Sequence, residues 1–150
     1  MKVLDRVNAL LSRKGSGIWS VPPDASVYSA IELMADKQVG ALLVTEGNQL
    51  VGIISERDYA RKVILKGRSS KDTFVYEIMT HSPITVDCCT TVHDAMQVMT
   101  QNRIRHLPIV DNARNLAGVL SLGDLVNWII SSQDNHIEQL EHYITGQYPC

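Results

Sequence analysis

One phenylalanine, three cysteines and no apolar run approaching the roughly 20 residues of a membrane span set the first limits on this 150-residue chain. Cys88 and Cys89 are adjacent and Cys150 ends the sequence. An odd set without C-x-x-C spacing argues against a disulfide framework and a zinc site, and a reducing cytoplasm is the expected setting. Charge is scarce in excess: 14 Lys and Arg face 16 Asp and Glu, for a net charge of -2. That excludes bulk attraction to nucleic acid or an anionic membrane surface, and neither is an expected partner. Lys2, Arg6, Arg13 and Lys14 cluster near the start, but Asp5 interrupts them and no contiguous apolar core follows, so the stretch does not read as a secretory signal. Those charges would suit a mitochondrial-type presequence, but the stretch is short, and the cytoplasm stays the expected location.

What the chain has is repetition. Val21, Val27, Ala30 and Met34 recur sixty-five positions later as Val86, Val92, Ala95 and Met99. After one inserted residue, Leu50, Gly52, Ser55 and Asp58 recur sixty-six positions later as Leu116, Gly118, Ser121 and Asp124. Spacing kept this far, with a single insertion in a turn, marks an internal repeat.

Each copy has the same predicted order of elements. A short extended segment (Ile18 to Val21; Ile84 to Val86) precedes a helix capped by Ser26 or Thr91, with Asp94 three residues after the second cap. Two short apolar runs joined by a polar turn follow, Ala41–Thr45 with Leu50–Ile54 and Leu107–Val110 with Leu116–Leu120, which reads as a hairpin. Ser55-x-x-Asp58 and Ser121-x-x-Asp124 then resemble capping boxes, the first opening a helix to about Lys66 with Gly67 as its C-terminal cap. The predicted organisation is a helix and Gly15-Ser16-Gly17 hinge over 1–17, repeat 1 over 18–67, a linker over 68–82, repeat 2 over 83–131, and a tail over 132–150. Val3, Leu4, Val7, Leu10 and Leu11 give the first helix its apolar face, Val75 to Met79 is a short apolar turn, and Ile137, Leu140 and Ile144 line one face of the tail.

These features resemble the CBS domain, the cystathionine β-synthase module that occurs as tandem pairs. The residues carrying the resemblance are Arg105-His106-Leu107-Pro108-Ile109-Val110-Asp111 with Gly118-Val119-Leu120-Ser121-Leu122-Gly123-Asp124, and more weakly Val39 to Val44 with Gly52-Ile53-Ile54-Ser55-Glu56-Arg57-Asp58. The stretches SERDYARKVILKGRSSK, MTQNRIRHLPIV and YITGQYP are similar to the small stand-alone CBSX-type proteins. The resemblance implies an α/β fold of two pseudo-symmetric β-α-β-β-α repeats with two clefts between them. It further implies adenosine-containing ligands in those clefts, no catalysis, and a disc-shaped homodimer, head-to-head or head-to-tail, acting on an unknown effector protein. The ligands expected on this ground are AMP, ADP or ATP, with NAD or S-adenosylmethionine as alternatives at one cleft.

The same resemblance suggests roles for particular residues. Asp124 matches a ribose-binding position, with Ser121 beside it, and Asp58 and Ser55 carry over in the first copy. Both pairs also suit plain helix caps, Ser accepting from an amide and Asp facing the positive helix end. Arg105 and His106 match phosphate-contacting positions, and a guanidinium fork suits phosphate oxygens. Arg103 would share a strand face with Arg105. The first copy has Gly40 and Ala41 where the second has Arg105 and His106, while Arg57 stands where the second has Gly123. The clefts are therefore expected to differ, with the second copy better armed. Trp19 and Thr85 fall where the family contacts adenine, although Trp19 equally suits core packing. Trp128 suits packing or a dimer interface. His136 and His142, with Glu138 and Glu141, read as a solvated face. Two readings of other classes are a thiol-redox enzyme using Cys88 or Cys89, and a purely structural dimeriser.

Overall fold

The structure is a computed structural model and describes residues 5–14 and 18–132. Repeat 1 comprises β1 (Ser20–Val21), α2 (Val27–Lys37), β2 (Ala41–Glu46), β3 (Gln49–Ser55) and α3 (Glu56–Tyr59). Repeat 2 comprises β5 (Val86–Asp87), α5 (Val92–Asn102), β6 (His106–Val110), β7 (Leu116–Ser121) and α6, the helical residues 122–132. Two further segments precede them: α1 (Val7–Lys14) before repeat 1, and α4 (Val75–Ile78) with β4 (Thr80–His81) before repeat 2. The sheets run β1-β2-β3-β4 and β5-β6-β7, each with one parallel pair at its start and an antiparallel hairpin after it.

The periodicities explain the packing. On α2, Val27, Ala30 and Met34 are buried, and on α5 so are Val92, Ala95 and Met99. Ser26 and Thr91 cap these helices by accepting from the amides of Ser29 and Asp94 at 3.1 Å each. Both helices end in a left-handed residue, Gln38 at φ 56° and Arg103 at φ 54°, which turns the chain into the next strand. Both hairpins carry a register shift at the same place, Val44/Thr45 and Ile109/Val110.

The two cores are completed crosswise. Val7 and Leu10 of α1 are buried with Val92, Met99, Leu107 and Leu120 in repeat 2, whereas Val75, Ile78 and Met79 are buried with Val27, Met34 and Ile54 in repeat 1. The backbone pairing is equally matched. Val92 N–H donates to the Asp5 carbonyl at 2.7 Å and Val7 N–H to Thr90 at 2.8 Å. Val27 N–H donates to Thr73 and Val75 N–H to Ala25, both at 2.8 Å. The segment preceding each repeat thus packs on the other one, and residues 73–81, expected as linker and apolar turn, form a helix and an edge strand of the first sheet.

Two other expectations are corrected. The α-helical turn of α3 is followed by a five-residue π turn, Ala60–Ile64, and not by α-helix to Lys66. Leu65 N–H donates to Ala60 at 3.1 Å, and the wider turn lets Val63 stay fully buried while Lys62 donates to the Ile78 carbonyl at 2.9 Å. Helix α1 begins at Val7, because the Asp5 and Arg6 backbones are paired alongside Thr90–Val92. The predicted hinge, the tail face, its histidines and Cys150 lie outside the described residues. Among the described residues no helix is long and apolar enough to cross a membrane.

Candidate functional site: two clefts between the repeats

Both S-x-x-D segments are complete capping boxes. Asp58 Oδ2 accepts from Ser55 N–H at 2.9 Å while Ser55 Oγ accepts from Asp58 N–H at 3.2 Å. Asp124 Oδ2 accepts from Ser121 N–H at 2.8 Å while Ser121 Oγ accepts from Asp124 N–H at 3.1 Å. The shorter Asp arm therefore does the work usually given to Glu. Capping leaves one oxygen of each carboxylate, and the two sites use it differently. Asp58 Oδ1 lies 3.2 Å from Lys62 Nζ, one helical turn away. Asp124 Oδ1 has no protein partner among the described residues, because Lys14 of α1 binds the already engaged Oδ2 at 2.8 Å.

Cleft 1, of about 490 Å³, has Ser55, Arg57 and Asp58 on one wall and Arg103, Arg105 and His106 on the other. Pro83 and Ile84 supply an apolar wall and Arg61 of the π turn lies at the margin. Cleft 2, of about 370 Å³, is the pseudo-symmetric counterpart: Ser121 and Asp124 face Gln38, Gly40 and Ala41, with Trp19 where cleft 1 has Ile84. Lys14 reaches in from α1, where it also donates to the Val119 carbonyl at 3.1 Å. His106 and Gly40 line both clefts, and a Cβ on Gly40 would sit 3.7 Å from the His106 imidazole.

The clefts do differ, but the cations are dealt otherwise than the sequence order suggests. Arg103 and Arg105 belong to repeat 2, yet they face the helix start of repeat 1. The reason is local. The Arg105 carbonyl accepts from Leu122 N–H at 2.7 Å, fixing its backbone to its own repeat, and the side chain lines the space across the pseudo-dyad. Cleft 1 consequently collects Arg57, Arg61, Arg103 and Arg105, while cleft 2 has Lys14 alone among Lys and Arg. Thr85 is exposed and lines neither cleft; its neighbour Ile84 occupies the position matching Trp19. Trp19 is part-exposed at the mouth of cleft 2 with Lys37 Nζ 4.4 Å above its ring, so it is not a core residue.

Lys14, Gln38, Arg61 and Ile84 were not singled out from the sequence. Two of them could have been found by sliding the repeat onto itself, since Gln38 matches Arg103 and Ile84 matches Trp19, and Arg61 from its spacing of four residues after Arg57. Lys14 carries no such signal, because α1 reaches repeat 2 across the fold.

The electrostatics follow the packing. Burial pushes the His106 imidazole below its ordinary value; Lys14 pushes the same way, Asp124 opposes, and Arg105 lowers it further. Burial would raise Asp124, but the hydrogen bond from Lys14, the Ser121 amide and the Lys14 charge together hold it below the usual carboxylate range. Cys88 goes the other way: burial raises its thiol, reinforced by Asp111, Cys89 and Asp87. A thiol kept protonated is a poor nucleophile, which weighs against the redox reading for that residue. Among the described residues no three His, Cys, Asp or Glu side chains are grouped to hold a metal ion.

Comparison with known proteins agrees with this architecture. The family model of the CBS domain matches residues 15–65 and 75–131. The chain belongs to the CBS-domain family. The two matches make it a tandem CBS pair. It is 44% identical over 142 residues to the CBS domain-containing protein CBSX3, mitochondrial, of Arabidopsis thaliana, covering 91% of this chain and 68% of that one. Among solved structures, a protein with CBS domains from Burkholderia ambifaria superposes with a TM-score of 0.81 at 45% identity, covering 85% of this chain and 96% of that one. The CBS domain protein PAE2072 from Pyrobaculum aerophilum, complexed with AMP, gives a TM-score of 0.72 at 30% identity, covering 79% of this chain and 88% of that one.

Proposed function

We propose that this CBS pair is a non-catalytic regulatory module that binds an adenine nucleotide, AMP foremost, in cleft 1. Occupancy is passed to an effector protein through the arrangement of the two repeats or of two paired copies. The observation that carries this reading is the composition of cleft 1: a capped carboxylate on one wall and the Arg57 and Arg105 guanidiniums around the same cavity. Asp58 Oδ1 keeps a lone pair beside Lys62 for a ribose hydroxyl, guanidiniums suit the phosphate, and Pro83 with Ile84 offers a face for the adenine ring. The AMP complex of the Pyrobaculum protein supports the ligand class. For binding to signal, the nucleotide must favour one arrangement of the halves over another.

Arg105 is exposed and makes no side-chain hydrogen bond among the described residues, so removing it leaves the fold intact. Arg105→Ala is expected to weaken AMP by about 1.5–3 kcal/mol, roughly ten- to a hundredfold, measured by calorimetry. Equal AMP affinity in the variant and the parent would sink the assignment.

A second reading concerns cleft 2, whose walls of Gln38, Gly40 and Ala41 carry no charge opposite Asp124. Such a lining favours a ligand held by its adenosine end, such as NAD or S-adenosylmethionine. Mass spectrometry of small molecules released from the purified protein separates these from AMP, ADP and ATP. A purely structural dimeriser would show no thermal shift with any of them.

A further inference from the structure

The two clefts meet at one imidazole. His106 lines both of them, and no other titratable side chain does. Its ring makes no hydrogen bond among the described residues. None of those residues holds a sealed polar side-chain atom without a partner, so the ring nitrogens open onto cleft space. The internal repeat shows that the fold does not call for an imidazole here. The counterpart of His106 is Ala41, and each opens its strand opposite the serine of a capping box: Ala41 pairs with Ser55, His106 with Ser121.

Charge reaches the ring from both sides. Lys14 of α1 and Asp124 at the start of α6 line cleft 2. In cleft 1, Arg103 and Arg105 lead into its own strand, Arg57 and Arg61 come from the other repeat, and Glu56 and Asp58 are the carboxylates. From β2 and the turn before it come only Gly40 and Ala41, which carry no charge. Five cations thus stand against three carboxylates. That excess adds to burial in disfavouring the charged ring. A phosphate held by Arg57 and Arg105 reverses the sign, because it brings negative charge into a cleft whose wall includes the adjoining His106. It also offers a ring N–H the acceptor that the described neighbours do not supply.

We propose that His106 links nucleotide affinity to the proton: a phosphate in cleft 1 charges the imidazole, so the module binds AMP more tightly as pH falls. Because the same ring lines cleft 2, the charge is felt there as well, and one proton serves both sites. The proposal rests on the reading of cleft 1 as the AMP site and adds that its occupancy registers pH.

The test is calorimetry with AMP at pH 8 and pH 6.5, a range in which the ligand's own phosphate, with a second pKa of about 6, keeps most of its charge. The parent protein is compared with His106→Gln, and the readout is the ratio of the two dissociation constants. The parent is expected to bind AMP about threefold or more tightly at the lower pH, and the variant to lose that gain. The titration of the His106 ring, followed by NMR in the parent, is expected to move to higher pH when AMP is added; this measurement decides the matter if the variant does not fold. A parent whose AMP affinity is the same at both pH values, a variant that keeps the parent's gain, or a ring titration that AMP does not raise overturns the proton linkage, while AMP binding itself upholds the reading of cleft 1. If AMP does not bind, that reading falls, and sulfate, an anion that does not titrate in this range, takes its place as the probe. A His106 titration raised by sulfate then upholds the linkage, and one left unmoved overturns it.

Discussion

At the scale of the residue, His106 is the side chain on which most of the site converges. It opens β6, borders both clefts and lies against Gly40 of the other repeat. Burial holds its imidazole below the ordinary value, with Lys14 and Arg105 adding to burial and Asp124 opposing. The consequence for stability has a definite sign. The unfolded chain takes up this proton as pH falls through about 6.5, and the native protein only at lower pH. Stability contributed by neutral His106 is complete above about pH 6.5 and is lost as pH falls toward the folded value. His106→Gln, which cannot titrate, is expected to flatten the dependence of melting temperature on pH between about 7 and 5. An unchanged slope would assign the effect to another group. Asp124 belongs to a lower window, since its depressed value stabilises the fold above the usual carboxylate range and ceases to do so in acid. The Lys14 pair itself is part-exposed, with side-chain exposures of 40% and 29%, so it contributes less than about 1 kcal/mol.

At the scale of the element, the crosswise docking of α1 and α4 rests on two equivalent glycines. Gly52 and Gly118 are buried mid-strand in β3 and β7, and each lies under the segment preceding the other repeat. A Cβ on Gly52 would meet Met79 Sδ at 2.5 Å and the Thr80 carbonyl at 2.9 Å; on Gly118 it would meet Leu11 Cδ2 at 2.8 Å. A side-chain tip can swing away, but a paired backbone carbonyl cannot. Gly52→Ala is therefore expected to destabilise by about 1–3 kcal/mol in urea melts and Gly118→Ala by distinctly less. Equal costs would mean that β4 yields as readily as Leu11. These glycines also show how much was legible in the sequence. Strand, helix, hairpin and capping-box positions could be read because each is a local pattern of period or cap. The repeat made them certain by stating them twice, and the resemblance to CBS pairs supplied the two clefts. Three things had no local signature: which repeat α1 joins, the π turn that brings Arg61 to the cleft margin, and the crossing of Arg103 and Arg105 to the other repeat's carboxylate. All three depend on how the halves face each other, which a one-dimensional pattern does not encode.

At the scale of the whole molecule, the apolar side chains left exposed after both cores are filled are where the proposed pairing of two copies can be tested. Leu65 is 77% exposed and Ile64 56%, both at the end of the π turn of repeat 1. Ile130 is 49% exposed and Val126 38% on α6, and Ile130 is the repeat counterpart of Ile64. Large apolar side chains stand exposed at equivalent places on both halves, and a second copy carrying the same side chains can cover them isologously. The homodimer proposed for this CBS pair would use these side chains, none of which lines either cleft. Replacing apolar anchors by charge introduces an unpaired carboxylate where water must be excluded, at a cost of about 2 kcal/mol or more for a central anchor. Leu65→Glu/Ile130→Glu is accordingly expected to turn a dimer into a monomer at micromolar concentration in sedimentation equilibrium. Both side chains lie outside the two cores, so the monomer should still melt cooperatively. A parent protein that is monomeric at the same concentration removes the dimer, and a double variant that remains dimeric removes these side chains from the interface. The monomeric variant would also separate two routes of signalling. If its clefts still bind nucleotide with the parent's affinity, occupancy is registered within one pair of repeats; if affinity falls, ligand and dimer are thermodynamically linked, and each must strengthen the other by the same factor.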